Sequence, residues 1–466
     1  MSTLPTSTSV HAPPATGHAI VLGASMAGLL AARVLADHYA QVTVLERDPL
    51  PNETAPRRGV PQGRQPHGLL AAGLRTLDRL FPGFGAELVQ AGGLPGDSSW
   101  NIRWYQVGGF KVRQRSDVHG VLASRPLIEG VVRERVRRLP NVQFRDDVSV
   151  QGLLHGEGRV RGVQLEDRRQ GRHEELSADL TVDATGRGSR SPAWLRALGY
   201  AAPAESVVRI DVTYTSQVYQ DAAPQHPDDV NAYIIMEEAP HGKRGGVALS
   251  CEHGRWMIGL AGMLGEQPPS DPVGFHAYAQ ALPSPEIARL IERLTPLGAP
   301  VTHHFPHSQR RHYERLTRFP EQYLVMGDAL CSFNPIYGQG MTVAALEALA
   351  LQECLRAGGQ VSWQRFFKQA AGVIDIPWTL AVGSDLAYPQ VEGPRTVAGR
   401  LIQRYVRHVH LAAQHDGQVA LAFHQVSNLL RPPQSLFRPA VVGRVLRARL
   451  GHPAEGHRTG QHVPAR

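Results

Sequence analysis

Cysteine is scarce in this 466-residue sequence, and long hydrophobic runs are missing. The three cysteines, Cys251, Cys331 and Cys354, lie far apart and form no C-x-x-C pair, which excludes a disulfide framework and predicts a reducing, cytoplasmic environment. No run of about 18 apolar residues could span a bilayer. The first residues are rich in Ser, Thr and Pro and lack the features of a signal peptide, so 1–17 and 451–466 are predicted to be disordered tails.

Lysine is scarce too, because only three of the 49 basic residues are lysines, while the formal net charge is +8. No nucleic-acid-binding motif and no interleaving of aromatic with basic residues accompanies this charge, so nucleic-acid binding is not predicted. Two histidine groups, within 303–307 and 408–415, have no acidic or cysteine partner at ligand spacing, so no metal site is predicted. A G-x-S-x-G motif is also absent, which leaves nucleophilic hydrolysis unsupported.

A first motif stands near the start of the chain. The apolar run His18–Leu22 enters GASMAG, Gly23–Gly28, and a helix rich in Ala and Leu, and a second apolar run, Gln41–Leu45, ends at Glu46. This β-turn-α-β order is typical of the dinucleotide-binding fingerprint. Glu46 follows Gly23 by 23 residues, close to the spacing of a carboxylate that binds an adenosine ribose.

Each small residue of this turn has a predicted role. Gly23 would allow the tight turn, and Gly28 would let helix and strand pack closely. Ser25 stands where the fingerprint has its second glycine, and its small side chain still permits a pyrophosphate to approach and could donate to it. Glu46 would repel a 2′-phosphate, so the nucleotide bound here is NAD or FAD rather than NADP.

Two later segments resemble this arrangement. The apolar run Tyr323–Met326 leads into GDALCSFNPIYGQGM, Gly327–Met341, in which Asp328 could accept from sugar hydroxyls and the amides of 338–341 could face negative charge. Asp179–Val182 is likewise followed by DATGRGSR. Three strand-end loops converge only on a ligand longer than a nicotinamide dinucleotide would need, which favours FAD.

The motif positions imply an α/β fold with several parts. At 466 residues and 42% hydrophobic composition, the chain can form two or three domains. A Rossmann-like FAD-binding domain would be discontinuous, over 18–205 plus 322–372. Between its segments, the alternation of apolar and polar residues from Val208 to Tyr214 predicts a mostly antiparallel sheet, so 206–321 would form the substrate domain.

The last part of the chain is predicted to be helical. Residues 373–450 show helical spacing and many arginines. Within them, Val441–Leu450 is basic and amphipathic, which suits packing on the sheet or on a second subunit, and also peripheral contact with a membrane surface.

With these segments in hand, the chain resembles the FAD-dependent monooxygenases of the aromatic hydroxylase and squalene epoxidase-like group. It is most similar to the bacterial branch that includes the polyether-type alkene epoxidases. The likeness extends over about residues 18–390. Besides the three cofactor motifs it includes the tracts Arg57–Leu70, Ser124–Val136, Gly254–Gly262 and Ile374–Pro389.

The resemblance implies roles for individual residues. The FAD site would comprise Gly23, Ser25 and Gly28 around the pyrophosphate, Glu46 on the adenosine ribose, Arg125 on the phosphates or ribose, Asp183 and Gly186 near the cofactor, Asp328 on the ribityl chain, and Gly338, Gly340 and Met341 along the pyrimidine edge of the flavin. Pro335 would border the flavin face where oxygen reacts. His67 and Gln62 are the candidates for polar orientation of the substrate.

The implied reaction uses NADPH or NADH and O2 to epoxidise or hydroxylate a lipophilic small molecule. One nucleotide fold is apparent, so the nicotinamide would bind transiently or a separate flavin reductase would supply electrons. An FAD-dependent reductase or dehydrogenase of isoprenoid-like substrates, a non-redox cyclase and a non-enzymatic flavin-binding protein are the alternatives. Flavin halogenases share the fold but carry a Trp-x-Trp tract and a pocket lysine, whereas no lysine here precedes Lys111 and no two tryptophans are separated by one residue.

Overall fold

The computed structural model describes residues 16–451 except 52, 53, 58, 60, 223–228 and 357–360. Almost all of the two predicted tails, 1–17 and 451–466, therefore lies outside the described residues.

Eighteen strands occur in the described part of the chain. They are β1 His18–Leu22, β2 Gln41–Leu45, β3 Leu94–Asp97, β4 Ile102–Gln106, β5 Gly109–Phe110, β6 His119–Leu122, β7 Val142–Arg145, β8 Val148–Gly156, β9 Arg159–Asp167, β10 Arg172–Ser177, β11 Leu180–Asp183, β12 Glu205–Gln220, β13 Ala232–Ile235, β14 Arg244–Cys251, β15 Arg255–Gly262, β16 Thr295–Arg311, β17 Tyr323–Val325 and β18 Cys331–Ser332.

Twelve α-helices occur in the same residues. They are α1 Met26–Leu35, α2 Ala71–Leu80, α3 Phe84–Gln90, α4 Arg125–Arg137, α5 Ser191–Ala197, α6 Pro272–Gln280, α7 Glu286–Arg293, α8 Gly340–Arg356, α9 Trp363–Asp385, α10 Val397–Ala412, α11 Gly417–Ser427 and α12 Pro439–Gly451.

The first sheet is parallel and has the strand order β17-β11-β1-β2-β7. Its central strands are continuous apolar runs because they are covered on both faces, as parallel sheets require. Leu22 pairs with Asp183, and Asp183 pairs with Val325, so the loops after β1, β11 and β17 leave the same edge side by side. The predicted Rossmann-like α/β fold is confirmed.

The second sheet has eight strands in the order β18-β16-β12-β15-β14-β13-β4-β5. All its pairs are antiparallel except that of β13 with β4. In β12, Val208, Ile210 and Val212 are buried while Arg209 and Asp211 are exposed, which is the period of two that the sequence shows. The predicted, mostly antiparallel sheet is present.

Two domain limits differ from the sequence-based ones. β4 and β5 belong to the second sheet, although residues 102–110 fall inside the predicted segment 18–205. Their pairing with β13 joins residues more than a hundred positions apart, and no local pattern announces it. α9 is a single helix through Pro377, so it crosses the predicted limit at residue 372.

The C-terminal helices α10, α11 and α12 share a small core that includes Val409, Ala420 and Val445. α12 buries Val445 but exposes Leu446 and Leu450, so its contact with a membrane or a second subunit stays a prediction. None of the helices in the described residues is long and apolar enough to cross a bilayer.

We expect Gly28→Ala to destabilise the protein by about 3 kcal/mol, because its Cβ would stand 1.8 Å from the Gly23 carbonyl oxygen. Urea unfolding of the FAD-free protein measures this. The matched control is Gly372→Ala in α9, where no described atom lies within 4 Å of the added Cβ. That change should stabilise by about 0.5–1 kcal/mol. Equal stabilities for the two variants would contradict the packing argument.

Candidate cofactor site

The turn after β1 has the geometry that the fingerprint requires. Gly23 has a φ of 97°, in the left-handed region that favours glycine. A Cβ there would lie 2.7 Å from the Ala184 carbonyl oxygen, so this turn packs directly on the loop after β11. Gly23 N donates to Leu45 O over 2.7 Å, and Ala24 N donates to Glu46 Oε2 over 2.8 Å. Glu46 thus stands beside the turn, where the ribose role predicted for it is sterically possible.

Behind the turn lies a buried group of charges around Glu129 of α4. Glu129 Oε1 accepts from Arg57 at 2.7 Å and from Arg133 at 3.4 Å. Glu129 Oε2 accepts from Ser25 Oγ at 2.9 Å and from Arg125 at 3.2 Å. The three arginines and Glu129 are all buried. The Ser25 hydroxyl donates to Glu129 here, and its donation to a phosphate stays a prediction.

The charges of this cluster do not cancel. Burial alone would raise the pKa of Glu129, but Arg125 and Arg57 lower it below its usual range, so the carboxylate is ionised at neutral pH. Glu46 pairs with Arg57 at 3.3 Å and supplies a second negative charge. Three guanidiniums facing two carboxylates leave a net charge of +1 beside the turn. An anionic pyrophosphate suits this excess.

Arg125 was predicted from the sequence to belong to this site, but Arg57, Glu129 and Arg133 were not. A spacing of four residues separates Arg125 from Glu129 and Glu129 from Arg133, which places the three on one face of α4. This spacing could have identified Glu129 and Arg133 from the sequence. Arg57 had no such signal, because it reaches Glu129 from 72 positions away.

Asp328, which follows β17, interacts electrostatically with charged residues of two other segments. Asp328 has surface in contact with solvent, but many protein atoms surround its carboxyl group. The resulting loss of hydration raises the pKa of Asp328. The positive charges of Arg125 and Arg187 oppose that rise. Arg125 belongs to the cluster around Glu129, and Arg187 belongs to the loop after β11. Asp328 therefore lies within electrostatic range of Arg125 from α4 and of Arg187 from the loop after β11.

Asp183 and Gly186, the two residues predicted near the cofactor at the end of β11, have different surroundings. Asp183 is fully buried, and its carboxylate accepts from Thr185 N at 2.9 Å, Thr185 Oγ1 at 2.6 Å and the Ser189 and Ser191 hydroxyls. It shapes this loop from inside, and its place near the cofactor stays a prediction. Gly186 has a φ of 79°, and no described atom lies within 4 Å of the position of a Cβ there.

His67 also lies near Arg125. Its Nδ1 is 2.8 Å from Gln65 O, and burial together with the charge of Arg125 lowers the pKa of His67 to about 4. The ring is therefore neutral, and with Nδ1–H assigned as the donor to Gln65, Nε2 is left as an acceptor. Gln62 lies in the turn Pro61–Arg64, but its side chain is outside the described residues.

Gln65 lies three residues after Gln62 in the same loop, and the role of Gln62 stays a prediction. It is buried, and it accepts from the Ser216 hydroxyl of β12. Its Nε2 has no hydrogen-bond partner among the described residues. Gln65 thus links the His67 loop to the second sheet. Its neighbours Arg64 and Pro66 form no apolar pattern that would predict its burial.

The start of α8 offers further unsatisfied groups. Gly338 has a φ of 63° with open space around it in the described structure, and Gly340 begins the helix beside Asp328. The Met341 side chain is buried in the core, so only its backbone is placed to border a cofactor. Gln339 Oε1 and Thr342 Oγ1 are buried, and neither has a hydrogen-bond partner in the part of the chain that is described.

These features fit FAD. The net positive cluster at the Gly23 turn suits the pyrophosphate, the cleft carboxylate Asp328 suits ribityl hydroxyls, and the N-terminus of α8 carries orphaned polar groups for the ring edge. Among the described residues, no three His, Cys, Asp or Glu side chains are arranged to hold a metal ion.

Glu129→Gln should destabilise the FAD-free protein by about 3 kcal/mol or more, because three buried guanidiniums would lose their main counter-charge. Urea unfolding measures the change. Glu134→Gln on the same helix is the matched control, since Glu134 is exposed and pairs with exposed Arg138 at 3.4 Å, and it should cost less than about 0.5 kcal/mol. A loss as small in Glu129→Gln as in the control would remove the cluster's assigned role.

Glu347 makes the stability of the protein depend on pH. Its Oε2 accepts from Gly327 N, next to Asp328, and burial raises its pKa to about 8. This pKa lies above the unfolded value, so the associated stability is lost as pH rises towards about 8. Relative to Glu347→Gln, the wild type should lose about 2 kcal/mol of unfolding free energy between about pH 6 and about pH 8. Exposed Glu353→Gln, on the same helix, should track the wild type, and parallel pH curves for all three proteins would disprove the assignment.

The comparisons with known proteins agree with this geometry. A protein-family model described as an FAD binding domain matches residues 17–358. Protein Rv3254 of Mycobacterium tuberculosis (strain ATCC 25618 / H37Rv) is 38% identical over 351 residues, which cover 73% of each chain. The kynurenine 3-monooxygenase of Salinispora tropica is 28% identical over 356 residues, which cover 72% of each chain.

Solved structures share the fold. The flavin-dependent brominase Bmp2 superposes with a TM-score of 0.66 over 94% of this chain and 99% of its own, at 14% sequence identity. At that identity the likeness concerns the fold alone. Because the family model covers most of the sequence, the chain belongs to this FAD-binding domain family, and it is an FAD-dependent oxidoreductase.

Proposed function

We propose that the protein is a monooxygenase that uses NADPH or NADH and O2 to epoxidise or hydroxylate a lipophilic small molecule. The observation that carries this proposal is the apolar wall beside the cofactor cleft. Ile336, next to Pro335, packs against a cluster from the second sheet that includes Val212, Tyr214 and Phe305. The kynurenine 3-monooxygenase relative adds support for oxygen insertion.

The chain's own residues would bind and orient, while FAD, when bound, supplies the redox and oxygen chemistry. The cluster of Arg57, Arg125 and Arg133 would hold the phosphates, and Asp328 would accept from the ribityl hydroxyls. The partial positive charge at the start of α8 would stabilise negative charge on the ring.

Around Pro335, the residues would control water and polarity. The packing of Ile336 on the second sheet would exclude water from the reacting centre. The neutral ring of His67 presents Nε2 as an acceptor and cannot act as an acid at neutral pH. Alkene epoxidation needs no strong base, so these surroundings favour an alkene over a phenol, and this is the basis on which we propose an epoxidase of the polyether type.

The electron donor is either a transiently bound nicotinamide or a separate flavin reductase. Halogenation is not proposed, because the likeness to the brominase is one of fold and the sequence has no Trp-x-Trp tract.

Labelled dioxygen tests the proposal. The purified protein, loaded with FAD and given NADPH or NADH, should show loss of flavin absorption in stopped flow. In the presence of a panel of isoprenoid and polyene alkenes, one labelled oxygen atom should enter the product. If neither nicotinamide bleaches the flavin, a separate reductase becomes the required donor. Turnover without label would replace the monooxygenase by the reductase or dehydrogenase alternative.

A further inference from the structure

The tract Ile374–Pro389 resembles the related monooxygenases but has no role in the site described so far. In the structure it forms the second half of α9 and the turn that follows. Asp385, the last residue of α9, is buried. Its Oδ1 accepts from Asn334 Nδ2 at 3.1 Å and from the Tyr337 hydroxyl at 3.0 Å. One carboxylate oxygen therefore holds both ends of the turn that contains Pro335.

Other hydrogen bonds also hold this turn. Asn334 N donates to Ser308 Oγ of β16 at 3.0 Å, and Asn334 Oδ1 accepts from Ile336 N at 3.2 Å. Within the turn, Tyr337 N donates to Asn334 O at 3.4 Å and Gly338 N donates to Pro335 O at 3.0 Å. Asp385 adds a side-chain link to these bonds, because one of its oxygens accepts from both Asn334 and Tyr337.

A second buried carboxyl group lies nearby. Glu237 follows β13, and burial, with a further contribution from the charge of Asp385, raises its pKa to about 7. Burial also raises the pKa of Asp385 to about 6, although its bonds from Asn334 and Tyr337 oppose this. Asp385 Oδ2 finds no hydrogen-bond partner within the described residues.

We propose that Asp385 is a positioning residue that fixes the Asn334–Tyr337 turn beside the flavin. The inference rests on the proposed flavin site, because the turn matters to the cofactor only if Pro335 borders it.

Three variants of the full-length protein test this, with FAD affinity measured by fluorescence quenching and with the visible flavin spectrum as a second readout. Asp385→Ala should bind FAD roughly tenfold more weakly than the wild type and should change the flavin spectrum. Asp385→Asn keeps an acceptor oxygen for Asn334 and Tyr337, so it should match the wild type in both readouts. Glu237→Gln is the matched control, because it changes a second buried carboxyl group and leaves both bonds to Asp385 in place, and it should also match the wild type.

Several outcomes separate the two proposals. If Asp385→Ala binds FAD and shifts the flavin spectrum as the wild type does, the positioning role is wrong while the flavin site stands. If no protein, the wild type included, takes up FAD, the proposed function fails first. Circular dichroism checks that Asp385→Ala is folded, and the conservative Asp385→Asn decides the question if it is not.

Discussion

The parallel pairing of β11 with β1 on one side and β17 on the other is the constraint on which the rest of the structure depends. It brings the loops after Leu22, Asp183 and Val325 to one edge, although they are far apart in sequence. Strand ends in open α/β sheets form crevices for ligands, and here the crevice is long because three loops contribute to it. The charged groups of the site are then placed by the helices that begin or end at that edge.

Charge is distributed along this crevice in two opposite ways. At the Gly23 turn, Glu129 stays ionised because buried arginines surround it, and a positive excess is left for phosphates. Around the start of α8 and the Pro335 turn, burial raises the pKa of Glu347 to about 8, of Glu237 to about 7 and of Asp385 to about 6. Glu347 is therefore mostly neutral near pH 7, whereas Asp385 is mostly ionised. For these three groups burial is the largest effect, whereas the buried arginines outweigh it at Glu129.

The second sheet takes part in the site through a few specific contacts. Gln65 accepts from Ser216, Ile336 packs on the apolar face of the sheet, and Asn334 donates to Ser308. Each contact joins a cofactor loop to a strand of the sheet, so the apolar wall and the cofactor cleft are held as one unit. A lipophilic substrate would lie between them with little water around it.

The sequence by itself determined the local features: the fingerprint turn with Gly23 and Gly28, the β12 alternation, and Asp328 at a strand end, because each follows from a short-range period or a backbone requirement. Only the tertiary structure decided that Arg57 reaches Glu129, that residues 102–110 join the second sheet, that Asp183 turns inward, and that Asp385 holds the Pro335 turn. These contacts join distant segments. Their partners are chosen by strand order and helix packing, which no local pattern of residues encodes.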